Sequence, residues 1–216
     1  MSLDAKATVK IGPFSRHGQS RVPVAAADHD FAAATVTPVG LLLPDLDELV
    51  VYGVTSRVTS DCLVDRLAQW WETARGRFGH ITTLLLNLDN GPECHSHRTQ
   101  FMARLVQFVA AYGVTIHLAY YPPYHSKYNP IERCWGRLEQ HWNGTLLDSL
   151  DTVLAYAATM TWRGHHPTVS LVTTVYARGV ARTKAAMAEV ETHLTRHGTL
   201  GTWFVAIHPP AAAWDN

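Results

Sequence analysis

The 216-residue chain has no excess of either charge: eighteen Lys and Arg face eighteen Asp and Glu. Proteins that bind polyanions usually carry a basic surplus, so any such contact here must come from a local basic face. No run of about 18 consecutive apolar residues occurs, which argues against a membrane-spanning helix. The first residues, Met1-Ser2-Leu3-Asp4-Ala5-Lys6, lack the basic-then-apolar order of a secretory signal. Cysteine is scarce: Cys62, Cys94 and Cys134 are three, an odd number without framework spacing, which points to a reducing cytoplasm. Internal repeats and low-complexity linkers are also missing. What is present, 47% hydrophobic and 17% charged residues, is ordinary for a globular chain with a substantial core. Thirteen histidines add positive charge below about pH 6.5.

The apolar pattern predicts strands first and strand–helix alternation afterwards. Val9 and Ile11 before Gly12-Pro13, and Arg21–Val24, read as two early strands, and 25–48 reads as loop-rich. Leu49–Val54 suits a buried strand. A helix capped by Ser60 follows, with Leu63, Leu67, Trp70 and Trp71 inward. Leu84–Leu88 reads as a strand buried on both faces, running into Asp89. A helix over 97–112 carries Phe101, Leu105, Phe108 and Tyr112, and Thr115–Ala119 is a strand stopped by Pro122-Pro123. Asn129-Pro130 opens a helix, with Asn129 as N-cap, Pro130 first and Glu132 third. Ile131, Trp135, Leu138 and Trp142 form its apolar stripe. A helix over 149–162, a strand-like Val169–Tyr176, a helix near 183–195 and an apolar run Trp203–Ile207 complete the order. This is an α/β chain with a mixed central sheet flanked by helices. Its expected division is a core over 1–165 and a C-terminal α/β extension over 166–216 packed on it.

Three acids stand at strand ends or helix starts: Asp4, Asp89 and Glu132. Ligands of open α/β sheets gather near the carboxyl ends of strands, which favours Asp89. Converging carboxylates are what a hard divalent ion requires. Each acid also has a plain structural role open to it. Asp89-Asn90-Gly91-Pro92 is good turn chemistry, Glu132 suits a helix start, and Asp4 suits a solvated surface.

The loop Tyr120-Tyr121-Pro122-Pro123-Tyr124-His125-Ser126-Lys127-Tyr128-Asn129-Pro130-Ile131-Glu132 sets aromatics, a lysine and hydroxyls beside a carboxylate. Aromatic faces stack on unpaired bases, and Lys or Ser can hold phosphates. The segment resembles the Pro-Pro…Ser-Lys-x-Asn-Pro-Ile-Glu signature of bacterial insertion-sequence DDE transposases, most of all the ISAzo-type or Rhodopirellula-type group. Leu86-Asn87-Leu88-Asp89-Asn90-Gly91 with His97-Arg98 resembles the family's second acid and its context. Ser2-Leu3-Asp4-Ala5-Lys6 and Lys10-Ile11-Gly12-Pro13-Phe14-Ser15-Arg16 resemble the first. Asp28-His29-Asp30-Phe31 also looks like a family segment. Tyr120, Arg133 and the turn Asn90-Gly91-Pro92-Glu93-Cys94 depart from the pattern.

The resemblance implies an RNase H-like (retroviral-integrase-like) fold. It implies Asp4, Asp89 and Glu132 as catalytic and metal-holding acids, Mg²⁺ as cofactor with Mn²⁺ able to substitute, and transposon-end and target DNA as partners. Candidate DNA contacts are Lys6, Arg16, Arg98, His125, Ser126, Lys127, Asn129 and Arg133. Gly136, one turn beyond Glu132, offers a place for close backbone approach. The helix-turn-helix region of full transposases is absent from this sequence. The expected assembly is therefore a homo-oligomer or a pairing with a separate N-terminal DNA-binding chain, in a bacterial cytoplasm and on the nucleoid when DNA-bound. Two other readings stand beside this one: a truncated, non-catalytic remnant acting as a binding or assembly module, and a different RNase H-like nuclease. Cys94, His95, His97 and Cys134 raise a zinc site, although their spacing departs from paired-ligand patterns.

Overall fold

A computed structural model of the chain describes residues 1–14, 34–122 and 128–210. The expected strand Arg21–Val24 and the segment Asp28–Phe31 lie outside these residues. The strands are β1 (Ser2–Ala5), β2 (Val9–Lys10), β3 (Thr35–Leu43), β4 (Glu48–Val54), β5 (Thr83–Leu88), β6 (Thr115–Tyr120), β7 (Thr168–Val172), β8 (Leu194–Arg196) and β9 (Phe204–Ile207). The helices are α1 (Ser60–Phe78), α2 (Thr99–Tyr112), α3 (Pro130–Trp142), α4 (Leu150–Thr159) and α5 (Lys184–Glu191). They divide between two compact units: Ser2–Val58 with Pro130–Val175, and Met1 with Thr59–Asn129 and Tyr176–Asn216. The segment 166–216, expected as one extension, gives β7 to the first unit and α5, β8 and β9 to the second.

In the first unit the strands run β7-β4-β3-β1, with β2 also on β3. β3 is antiparallel to β1, β2 and β4, and β7 is parallel to β4. The expectation of a loop-rich 25–48 fails here, because Thr35–Leu43 is a nine-residue strand. Pro38 is why its pattern reads as interrupted. Proline lacks an N–H and is rare inside sheets. On an antiparallel strand a residue's C=O and N–H point to the same neighbour, and the Pro38 carbonyl accepts from Lys6 N at 2.8 Å. The missing donor therefore falls in the gap between the end of β1 and the start of β2, where little is lost.

The stripe predicted for α3 is the first unit's core. Ile131, Trp135, Leu138 and Trp142 pack with Val36, Leu42, Leu49 and Val51 of the sheet and with Val153 and Ala157 of α4. Each such large side chain contributes about 1.5–3 kcal/mol by leaving water. Ser149 caps α4, its Oγ accepting from Thr152 N.

In the second unit the order is β5-β6-β9-β8. β5 and β6 are parallel and joined by α2, while β9 is antiparallel to both β6 and β8. Leu84, Leu86 and Leu88 are buried, but Leu85 is 46% exposed. β5 thus alternates, correcting the expected burial on both faces; a run of leucines conceals a period of two. The α1 cap is also one residue earlier than expected: Thr59 Oγ1 accepts from Cys62 N at 3.3 Å. Ser60 is the first helical residue, and its hydroxyl donates to the Glu93 carbonyl at 2.7 Å.

Candidate active site

Asp4 sits on β1 opposite Gly40 of β3. The residue is only 9% exposed, correcting the idea of a solvated surface acid. Opposed residues of an antiparallel pair point to the same face, and here that face carries α3. Trp135 of α3 donates its indole N–H to Asp4 Oδ2 at 2.7 Å. Gly40 makes room for this contact. A Cβ there would lie 2.6 Å from Trp135 Cη2 and 2.8 Å from Ile131 Cδ1, closer than packed atoms allow. The same helix brings Glu132, half-buried in its first turn, three residues before Trp135. Residues at that spacing are neighbours on a helix surface.

Asp89 follows β5 in the second unit and is half-buried. Its Oδ1 accepts from Gly91 N at 3.2 Å and from the Cys94 thiol at 3.2 Å; Oδ2 accepts neither bond. The turn that provides these donors is itself fixed. Cys94 N and His95 N donate to the Gly91 carbonyl, and Tyr120 donates its hydroxyl to the Cys94 carbonyl at 2.7 Å. Glu93 Oε2 accepts from Ser60 N and from Arg98, each at 3.2 Å, and Arg196 donates to the Ser96 carbonyl at 3.1 Å. Burial raises the Tyr120 phenol well above its ordinary range, which keeps it a donor. Burial, then His97 and Arg98, lowers the His95 imidazole, which favours its neutral form.

Asp4 and Glu132 thus come from the first unit and Asp89 from the second. The donors are carboxylate oxygens, the chemistry that suits a hard ion such as Mg²⁺. Among the described residues no three His, Cys, Asp or Glu side chains are grouped as metal ligands. The zinc reading gains no support. Cys134 is buried in the first unit's core.

The model of the Rhodopirellula transposase DDE domain matches residues 1–209. The chain belongs to this family. Among solved structures, the Mos1 transposase paired-end complex with left transposon end is similar, with a TM-score of 0.53 and 11% identity. The likeness covers 72% of this chain and 45% of that one, so the chain spans less than half the length of the Mos1 chain it matches. At this identity the likeness shows the fold, which is the RNase H-like fold expected from the sequence. Among curated proteins nothing matches.

The other candidates of this DDE-domain chain separate into distinct settings. Lys6 is ion-paired with Glu139, its side chain 9% exposed and its ammonium 5.6 Å from the centre of the Trp142 ring. Arg98 is partly buried and ion-paired with Glu93 at 3.2 Å. Asn129 is fully buried, and among the described residues neither its Oδ1 nor its Nδ2 has a hydrogen-bond partner. Helix α3 therefore starts where expected but without the side-chain cap assigned to Asn129. Arg133 is exposed. Gly136 is exposed too, and a Cβ there would meet nothing within 4 Å. Arg16, His125, Ser126 and Lys127 lie outside the described residues. Sequence reasoning missed Trp135, Gly40 and Cys94 as carboxylate neighbours. Trp135 read only as core, and no local signal ties it to an aspartate 131 positions away. The Cys94 contact had a weak signal, a donor five residues after Asp89 in a turn.

Proposed function

We propose that the chain is the catalytic core of a DDE transposase, cutting and joining DNA at insertion-sequence ends. Asp4, Asp89 and Glu132 act together to hold Mg²⁺, with Mn²⁺ able to replace it. The observation that carries this reading is the Asp4 setting. Asp4 is buried at the packed contact between β1 and α3 and accepts from Trp135, on the helix whose first turn carries Glu132. A bound divalent ion supplies Lewis-acid stabilisation of the charge that builds up on phosphate. The residues do the rest: Asp4 and Asp89 present oriented oxygens, and Glu132 contributes from the helix start. In cleavage, water attacks the phosphorus, the P–O bond to the 3′-oxygen breaks, and that oxygen leaves as a 3′-hydroxyl. In strand transfer the freed hydroxyl attacks a target phosphodiester and a new P–O bond replaces the old one.

Transposon-end and target DNA are the partners this reading requires, with Arg133 the exposed cation at the start of α3. The protein acts as a homo-oligomer or with a DNA-binding chain, in the bacterial cytoplasm. Among the described residues no helix is long and apolar enough to cross a membrane. The test is plasmid nicking in Mn²⁺ at low salt, which favours weak non-specific contact. The wild-type chain nicks, and Asp89→Ala and Glu132→Ala do not. Equal nicking by all three would overturn the reading.

A second reading, a non-catalytic binding or assembly module, has its own observations. The net charge is zero, and Lys6 and Arg98 are engaged by Glu139 and Glu93. It predicts a folded chain that binds no Mn²⁺ and nicks nothing, even when supplied with a helix-turn-helix region in trans.

A further inference from the structure

The turn after β5 holds a cysteine whose role goes beyond packing. We infer that Cys94 is a positioning residue: its thiol, together with Gly91 N, fixes the Asp89 carboxylate through Oδ1 and turns Oδ2 toward a cation. The inference rests on the reading of Asp89 as a metal-holding acid.

The geometry supports it from several sides. Both donors reach the same oxygen, at 3.2 Å each. A carboxylate anchored through one oxygen has little rotation left about its terminal bond. Gly91 leaves the carboxylate room in this position: a Cβ there would lie 3.1 Å from Oδ1 and 3.2 Å from Oδ2. The thiol itself cannot drift. Cys94 is 6% exposed, its backbone N–H is bonded to the Gly91 carbonyl and its carbonyl to the Tyr120 hydroxyl. Glu93, the residue before it, is tied to the start of α1 through Ser60. A small apolar residue would fill the same space; the thiol adds a donor. Such partners orient ligands and raise metal affinity, and their loss typically costs about 10–100-fold. A thiol is a weak donor, which places the expected loss near ~10-fold.

The test uses the full chain and free Mn²⁺ as probe, with binding read from the electron paramagnetic resonance signal of unbound Mn²⁺. Thermal unfolding runs in parallel. Cys94→Ala should weaken Mn²⁺ binding by about 10-fold, and Cys94→Ser, which keeps an O–H donor, should return to within a few-fold of wild type. Asp89→Asn is the control for the underlying reading and should lose most of the binding. Equal affinity in Cys94→Ala and wild type, with Asp89→Asn impaired, overturns the role of Cys94 alone. Equal losses in Cys94→Ala and Cys94→Ser, tracking Tm, reduce Cys94 to packing and also overturn it. Unchanged binding in Asp89→Asn overturns the assignment of Asp89, and this inference with it.

Discussion

Asp4 and Asp89 are held in opposite ways. Asp4 lies on a strand, and its hydrogen bond comes from Trp135, 131 positions along the chain and on a packed helix. Asp89 lies in a turn, and its donors are two and five residues away. Asp4 is therefore set by tertiary packing: displacing α3 displaces its partner. Asp89 takes its own hydrogen bonds from its loop, and that loop is in turn tied to Ser60, Tyr120 and Arg196. One family motif can be read locally and the other cannot.

The largest break in this contrast is Trp135→Ala. Removing a buried tryptophan costs about 3–5 kcal/mol, and it takes away the Asp4 donor as well. Urea unfolding should show a large fall in midpoint, with no metal-dependent nicking left. Trp135→Phe removes the N–H and keeps an aromatic ring, and because phenyl is smaller than indole its cost adds some lost packing to the lost hydrogen bond. A carboxylate left short of a buried donor costs about 1–3 kcal/mol, again read by urea unfolding. Unchanged stability in Trp135→Phe contradicts a structural role for that bond.

Gly40→Ala comes next. Its Cβ would meet the Trp135 ring at 2.6 Å, and overpacking of this kind costs roughly 1–3 kcal/mol. Gly91→Ala sharpens the comparison from the other unit. There the neighbours are carboxylate oxygens at 3.1 and 3.2 Å, which need to give by only a little. Calorimetry should find Tm nearly unchanged, and Mn²⁺ affinity reduced by less than the ~10-fold expected when a carboxylate's hydrogen-bond partner is lost. A Gly91→Ala variant as destabilised as Gly40→Ala would erase the distinction between packing and local turn.

The smallest effect is in pH. Burial pushes the Cys62 thiol up to about 11 and the Cys134 thiol up to about 12, from an ordinary 9.0. A raised thiol favours the folded state fully below the unfolded value. That contribution is lost as pH rises above about 9 and through 11 to 12. Tm should be insensitive to these thiols below pH 9 and fall progressively above it, less steeply in Cys134→Ala. The same drop below pH 8 would contradict the assignment.

The element order was legible because helices announce themselves by period and by caps. The α3 stripe of Ile131, Trp135, Leu138 and Trp142 is core as its spacing required. β3 was hidden by Pro38, whose missing N–H matters only once its strand neighbours are known. Leu85 among leucines shows the converse, an exposed face that composition cannot reveal. For the candidate site, the sequence supplied the acids through their motifs. It did not supply their hydrogen bonds, because Trp135 and Asp4 meet only after the sheet and α3 have packed. Lys6 and Arg98 read as cations for phosphate, and their engagement by Glu139 and Glu93 is equally a product of folding.

The most direct test of the account is a crystal structure of the chain grown with Mn²⁺, using anomalous scattering to locate the ion. Mn²⁺ is expected to be held by Asp89, with Asp4 and Glu132 turned toward the same ion. Manganese bound elsewhere, or Asp4 or Glu132 facing away from Asp89, would contradict it.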